Sequence, residues 1–271
     1  MRQGYEPSRA HGLQAGVLLA LILLWELGTR FFQVSPLILP PPSSVIVQTI
    51  AETPLILNNV GSTLIAIFVG FFAASIGGAV LGALMISSSV IEKTVFPLLI
   101  LSQTIPKIAI APLLLIWFGY GLKSKIVVSL LMAFFPVLID TMVGLRSTPQ
   151  ELILLARSMG AGPFTQFRRF RLPYAMPFVF GGLRVAAVFA VTGTVVAEFV
   201  GGENGLVYLL SIAQAQYETP VVFGIIIILS VITMIMLALV EAVEQWTIPW
   251  YIATRGDEES FSAAGQFRRA P

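Results

Sequence analysis

Long apolar runs separated by short polar breaks dominate this chain. A membrane helix needs about 20 mostly apolar residues. Six segments qualify: 13–32, 60–87, 95–118, 125–145, 174–199 and 219–246. The last contains residues 219–240 without a single charge. The third is irregular, because Pro97, Pro106 and Pro112 interrupt it. Proline removes a backbone donor and kinks a helix. At membrane depth such a break is tolerated only where protein or a water-filled path satisfies the freed groups. The first run follows Arg2 and Arg9, as in a signal peptide. It continues past Glu26 with no small-residue cleavage site, so it reads as a retained helix.

The second run carries small residues every fourth position: Ser62, Ala66, Gly70, Ala74, Gly78 and Gly82. That spacing places them on one helix face, where another backbone can approach closely. Tight packing is the expected use of the stripe, with lining of a path as the other. Gly182, Ala186 and Ala190 form a shorter stripe on the fifth run.

Residues 151–173 form a polar, basic island between two apolar runs. Thr148-Pro149-Gln150-Glu151 has the form of a helix start, with Thr148 as cap and Glu151 three positions on. Leu152, Leu155, Ala156 and Met159 then fall on one apolar face. Gly160 is placed to end the helix in a left-handed conformation. Gly162-Pro163 opens a second short helix that ends basic at Arg168, Arg169 and Arg171. An amphipathic helix of this kind either lies on lipid headgroups or fits a partner's groove. Periodicity leaves both open.

Composition agrees with a polytopic membrane protein. The 271 residues are 56% hydrophobic and 11% charged, where a soluble domain carries about a quarter. Mean hydropathy is +0.89. A net charge of +2 gives nucleic acid little to bind. There is no Cys, and His11 is the one His, which leaves thiol, serine–histidine and zinc chemistry almost no residues and gives no metal site. Orientation follows the Lys/Arg distribution. With six spans both ends share a side, and that side holds Arg2, Arg9, Lys93, Arg146, Arg157, Arg168, Arg169, Arg171, Arg255, Arg268 and Arg269. The other side holds Arg30, Lys123 and Lys125. Both termini and the island are therefore expected in the cytoplasm.

The island also carries a recognisable register. Ala156-x-Ser158-x-Gly160-Ala161, followed by Leu172-Pro173, resembles the cytoplasmic signature of bacterial ABC importer permeases. In that family the signature runs Glu-Ala-Ala, Gly, then Ile-x-Leu-Pro at fixed gaps. Phe170 stands at the Ile position, while Leu154 and Leu155 replace the Glu and the first Ala. Glu151 lies one turn earlier. Residues 35–42, SPLILPPP, resemble the proline-rich outer segment of the nitrate/sulfonate/taurine branch. Residues 116–121, IWFGYG, with Ser124-Lys125, are similar to the same branch, as is Gly205-Leu206 near Tyr208.

The resemblance implies an all-α membrane protein of type I importer architecture, with six transmembrane helices per subunit and a cytoplasmic coupling helix. A tail (1–12) precedes the permease domain (13–246), whose coupling segment is 147–173, and a second tail (247–271) follows. Glu151, Leu152, Leu155, Ala156, Arg157, Ser158, Met159, Gly160, Ala161, Leu172 and Pro173 are the residues expected at the ATPase contact. The implied partners are two copies of an ATP-binding subunit, a second and identical permease, a periplasmic or lipid-anchored solute-binding protein and the bilayer. The implied location is the bacterial inner membrane. The chain would be a transport subunit and no enzyme. It has no Gly-x4-Gly-Lys-Ser/Thr phosphate loop, so ATP and Mg belong to the partner. The solute implied is a small anion such as nitrate, sulfonate, taurine or bicarbonate, or a related organic compound.

Ionisable groups inside spans cost about 2.5–3.5 kcal/mol each on insertion scales. Glu26, Lys107, Asp140, Arg184 and Glu198 are such groups. Arg184 is expected to snorkel to the cytoplasmic surface, and Asp140 to meet water or Arg146. Lys107, in the proline-broken segment beside Gln103 and Thr104, reads first as a helix-end anchor and, with Gln103 and Thr104, as a candidate for the translocation path. Glu198 is a further candidate near the outer mouth. The competing function is an ion-gradient-driven secondary transporter, which would show inverted repeats and paired intramembrane carboxylates; no repeat is visible.

Overall fold

The structure, a computed structural model, describes residues 7–251, and every regular element in it is helical. The expected tails lie largely outside this range, as do Arg2, Arg255, Arg268 and Arg269. In chain order the helices are α1 (Pro7–Phe31), α2 (Pro42–Ala51), α3 (Thr53–Ser87), α4 (Ser89–Gln103), α5 (Lys107–Phe118) and α6 (Leu122–Arg146). There follow α7 (Gln150–Ser158), α8 (Pro163–Gln166), a π-turn (Phe167–Arg171), α9 (Leu172–Gly201), α10 (Leu206–Ala215) and α11 (Thr219–Thr247).

Helices α3, α6 and α11, and the continuous run Pro163–Gly201 that contains α9, are each long and apolar enough to cross a bilayer. Helices α4 and α5 qualify only as a pair, bent by 94°. Of the three prolines in this segment, only Pro106 stands at the break; Pro97 and Pro112 lie inside α4 and α5. Helix α3 starts earlier than hydropathy suggests, at Thr53. Its 35 residues extend about 52 Å at 1.5 Å per residue, well beyond a hydrocarbon core of about 30 Å. The expected outer connectors contain helices too, α2 and α10.

The chain divides into two compact units whose boundaries fall within α3 and α11. The first comprises residues up to Gly61 and Asn204–Ser230. In it the Glu26 carboxylate accepts from the Ser43 backbone N–H (3.0 Å) and hydroxyl (2.8 Å) at the start of α2. No side chain caps α2 from its own N-terminus, so Glu26 satisfies one of the orphan N–H groups there. Arg30 donates to the same carboxylate at 2.6 Å. Asn59 accepts from the Gly205 N–H at 2.9 Å and thereby fixes the turn before α10.

The second unit comprises Ser62–Glu203 and the residues from Val231 onward. Here α6 packs along α9, and α5 against both. The small-residue stripe of α3 lies against α6. A Cβ added at Gly78 would come within 2.9 Å of the Phe134 carbonyl and 3.0 Å of the Leu138 nitrogen. Those are backbone atoms with no rotamer to change. The stripe on α9 is buried as well, with Ala186 and Ala190 fully enclosed. Ser129 of α6 donates to the Ala190 carbonyl at 3.0 Å. The opposite faces are apolar and outward: only 33% of the apolar window of α3 is buried, and Phe72, Ile76 and Val80 are exposed. Lipid is the solvent that suits such a face.

Gly78→Val is therefore expected to force α3 from α6 at a cost of about 1–3 kcal/mol. Gly181→Ala, where an added Cβ meets nothing within 4 Å, is the control and should be neutral or slightly stabilising. Thermal unfolding in detergent measures both; an unchanged midpoint for Gly78→Val would refute the close approach.

Candidate functional site

The polar island folds as a short helix, α7, hung between α6 and α9. Its start differs from the capping-box expectation. Pro149 occupies the cap position, no side chain caps the helix, and the Thr148 hydroxyl is buried with no hydrogen-bond partner. Pro149 fixes its own φ at −54°. This moves the start of the helix one residue past the position from which Thr148 would cap it.

The stop is the one the sequence predicts. Gly160 adopts φ +76°. Its N–H donates to the Arg157 carbonyl (2.9 Å), and the Ala161 N–H donates to the Ala156 carbonyl (2.9 Å). These paired bonds are the Schellman arrangement, which satisfies the last carbonyls of a helix. The Ser158 hydroxyl donates to the Leu154 carbonyl at 3.1 Å.

The apolar face is divided between two directions. Ile153 and Ala156 turn inward and are buried, at 8% and 1% exposure. Leu152, Leu154, Leu155 and Met159 turn outward, with Met159 at 78%. Glu151 and Arg157 are exposed beside them. The chain thus leaves an apolar ridge uncovered on a helix that lies outside the spans.

The second island helix does not end before the next span. Helix α8 passes through the π-turn into α9 without a break. Pro173 explains the widening. It has no N–H for the Arg169 carbonyl, and in an α-helix its ring would strike that carbonyl. The π-turn closes instead with the Leu172 N–H on the Phe167 carbonyl. Gln166 is buried and donates to the Ala161 carbonyl at 2.7 Å, which ties the end of α7 to the base of α9. Leu172 stays partly exposed and Pro173 half-buried at this base.

Gln103, Thr104 and Lys107 flank the bend between α4 and α5, and of the three only Lys107 lines the cavity beside it. Gln103 ends α4, Thr104 caps it with its hydroxyl on the Leu101 carbonyl (2.7 Å), and Lys107 begins α5. A cavity of about 220 Å³ opens here, with Ser102, Lys107, Leu131, Met132 and Phe135 in its walls. The Lys107 ammonium sits 4.3 Å from the centre of the Phe135 ring, a cation–π contact. One cation in an otherwise apolar chamber is the main electrostatic feature of the site.

Glu198 is placed elsewhere. It does not line this cavity; it is 2% exposed and faces Lys125 of α6 at 3.2 Å. Thr63 donates to the same oxygen at 2.8 Å, and the Lys125 ammonium also donates to Ser62 at 3.0 Å. This cluster joins α3, α6 and α9. Lys125, read from charge counting as an outer-side cation, is in fact 1% exposed. The signal available in the sequence was a cation and an anion inside different apolar runs. Arg184 pairs with Glu244, near the end of α11, its own side chain 38% exposed and that of Glu244 5%. Arg146 pairs with Glu92 rather than with Asp140.

Residues 66–249 match the family described as binding-protein-dependent transport system inner membrane component. The chain belongs to this family, the membrane permeases of ABC importers. It is 36% identical to the formylaminopyrimidine transport permease protein ThiX of Halalkalibacterium halodurans, over 86% of this chain and 93% of that one. It is 36% identical to the riboflavin transport system permease protein RibX of Chloroflexus aurantiacus, over 86% and 88%. It is 30% identical to the taurine transport system permease protein TauC of Escherichia coli, over 90% and 91%. Among solved structures, the MetNI methionine ABC transporter in inward-facing conformations shares the fold, with a TM-score of 0.58 at 23% identity, covering 71% of this chain and 98% of that chain. Family membership sets aside the ion-gradient-driven transporter. The protein is a multi-pass transport subunit, and ATP hydrolysis belongs to a separate chain.

A buried pair broken on one side leaves an uncompensated charge. Lys125→Met alone is expected to destabilise by about 3–5 kcal/mol, and Lys125→Met with Glu198→Leu by much less. Denaturation midpoints of the three proteins in detergent test this; equal midpoints for the single and double variants would contradict the pairing.

Proposed function

We propose that residues 147–173 are the coupling segment through which an ATP-binding subunit moves the spans. The observation that carries this reading is the uncovered ridge of Leu152, Leu155 and Met159 on a helix closed by Gly160. An apolar ridge at helical spacing suits a groove in a partner. With Leu154 and Leu155 in place of the signature acid and alanine, the contact is apolar in character, edged by Glu151 and Arg157. Gln166 and the π-turn then give motion of α7 a direct mechanical route to α9.

In this reading the permease domain is 13–246, and two identical permease chains assemble with two ATP-binding subunits, which use ATP and Mg. A solute-binding protein delivers the cargo from outside. The location is the bacterial cytoplasmic membrane, with both termini on the cytoplasmic side, in keeping with the excess of Arg and Lys there.

The cargo proposed is a small organic solute with one anionic or hydrogen-bond-accepting group. The chamber beside Gln103, Thr104 and Lys107 offers one cation among apolar walls, and relatives are named for a formylaminopyrimidine, riboflavin and taurine. Glu198 serves the path indirectly, by holding Lys125 and so fixing α3, α6 and α9 beside it.

Leu155→Asp with Met159→Asp should reduce ATP-dependent uptake in proteoliposomes by at least about tenfold and weaken co-purification of the ATPase, because two charges enter an apolar contact. Gly160→Leu should act in the same direction through about 1–2 kcal/mol of left-handed strain. Normal uptake with full ATPase retention in both variants would sink the docking role.

A further inference from the structure

Behind α7 lies another cavity, of about 320 Å³, lined by none of the residues of the Lys107 chamber. Arg146, Thr148, Gln150, Arg157 and Arg171 line it, with Ile153 as an apolar wall. These residues come from the end of α6, the connector that follows it, α7 from its first to its last turn, and the π-turn. It therefore sits where the spans give way to α7.

Its chemistry is that of an anion site on three separate grounds. Three guanidinium groups border it, and only Arg146 has a carboxylate partner, Glu92; among the described residues Arg157 and Arg171 have none. Thr148 lines the cavity; the residue is only 7% exposed, and its buried hydroxyl has no hydrogen-bond partner. A buried hydroxyl left unpaired is unfavourable and calls for an acceptor. The α7 N-terminus lacks a side-chain cap, so its first N–H groups are free of a side-chain acceptor at the positive end of the helix dipole.

We propose that this cavity binds a phosphate group, held by Arg157 and Arg171, with the Thr148 hydroxyl donating to one of its oxygens. Guanidinium groups suit phosphate because their planar fork donates paired hydrogen bonds. The phosphate belongs to an anionic phospholipid headgroup or to free inorganic phosphate. Occupancy holds α7 against the end of α6 and so sets the position from which α7 meets its partner. This consequence rests on the coupling role of α7; the binding itself does not.

The test uses the whole transporter, purified and stripped of lipid in detergent. Wild type, Thr148→Val, Arg157→Gln with Arg171→Gln, and Arg157→Lys with Arg171→Lys are compared. Native mass spectrometry counts lipid retained from phosphatidylglycerol or, separately, phosphatidylcholine. Equilibrium dialysis with labelled inorganic phosphate, with the ATPase sites filled by a non-hydrolysable nucleotide, reads the free anion. Loss of both charges should weaken binding by at least about tenfold, Thr148→Val by several-fold, and the lysine pair by an intermediate amount. Retention of phosphatidylglycerol without phosphate assigns the lipid, and the reverse assigns the free anion. Unchanged binding of both ligands in the glutamine and valine variants overturns the site. ATPase stoichiometry is measured on the same samples. Thr148 lies off the exposed ridge, so a loss of anion binding there with the ATPase retained separates this site from docking.

Discussion

Hydrocarbon offers the backbone no hydrogen bonds, and the whole architecture follows from that constraint. Each unsatisfied N–H or C=O in lipid is worth several kcal/mol, so the spans are helices, and the one bent pair, α4 and α5, breaks beside a cavity. The same solvent removes the usual reason for helices to associate, since lipid tails are as apolar as leucine. What remains is close contact. Gly78 and Gly82 of α3 meet the backbone of α6, and Ala186 and Ala190 of α9 are fully enclosed. The buried charges appear in partnered sets. Lys125 and Glu198 are buried together with Ser62 and Thr63, and Arg184 is matched by Glu244.

The periodic features were legible in the sequence. The small-residue stripes, the apolar runs, the Gly160 stop and the break near Pro106 each depend on residues close together along the chain. What was not legible depends on partners far apart in it. Nothing local says that Lys125 faces Glu198, or that Arg146 takes Glu92 and leaves Asp140. The prolines illustrate the limit well. Three candidates of equal local strength interrupt the third run, yet only Pro106 breaks it. There the preceding Thr104 caps α4 with its own hydroxyl and α5 turns away. The cap at Thr148 failed for a related reason. Pro149 carries the geometry of a cap without any side-chain acceptor, which displaces the start of the helix and leaves the hydroxyl buried and unpaired.

The α7 helix was legible as an element but not as a surface. Its moment suggested one apolar face, and a single face has two possible uses, to lie on lipid or to meet protein. The fold splits the apolar residues between an inner pair, Ile153 and Ala156, and an outer ridge. The inner pair holds α7 to its own chain, and the ridge is what remains for another.

The π-turn gives this arrangement its mechanical sense. A proline at the start of a span is often placed after a loop, where the missing N–H is harmless. Here Pro173 follows unbroken helix, and the backbone widens over Phe167–Arg171 rather than ending. The base of α9 is thus a continuous rod into the island, tied back to α7 by Gln166. Helix α9 in turn packs along α6, and near its far end Glu198 joins Lys125. On the docking reading, a push on α7 reaches α6 and α9 as one body, since close-packed backbones have no side-chain slack to absorb it. The bend at Pro106 is built differently, with a cavity beside it and one cation over an aromatic ring. On the same reading, the change in shape would fall at this bend, where Lys107 stands, rather than within the packed pair of α6 and α9.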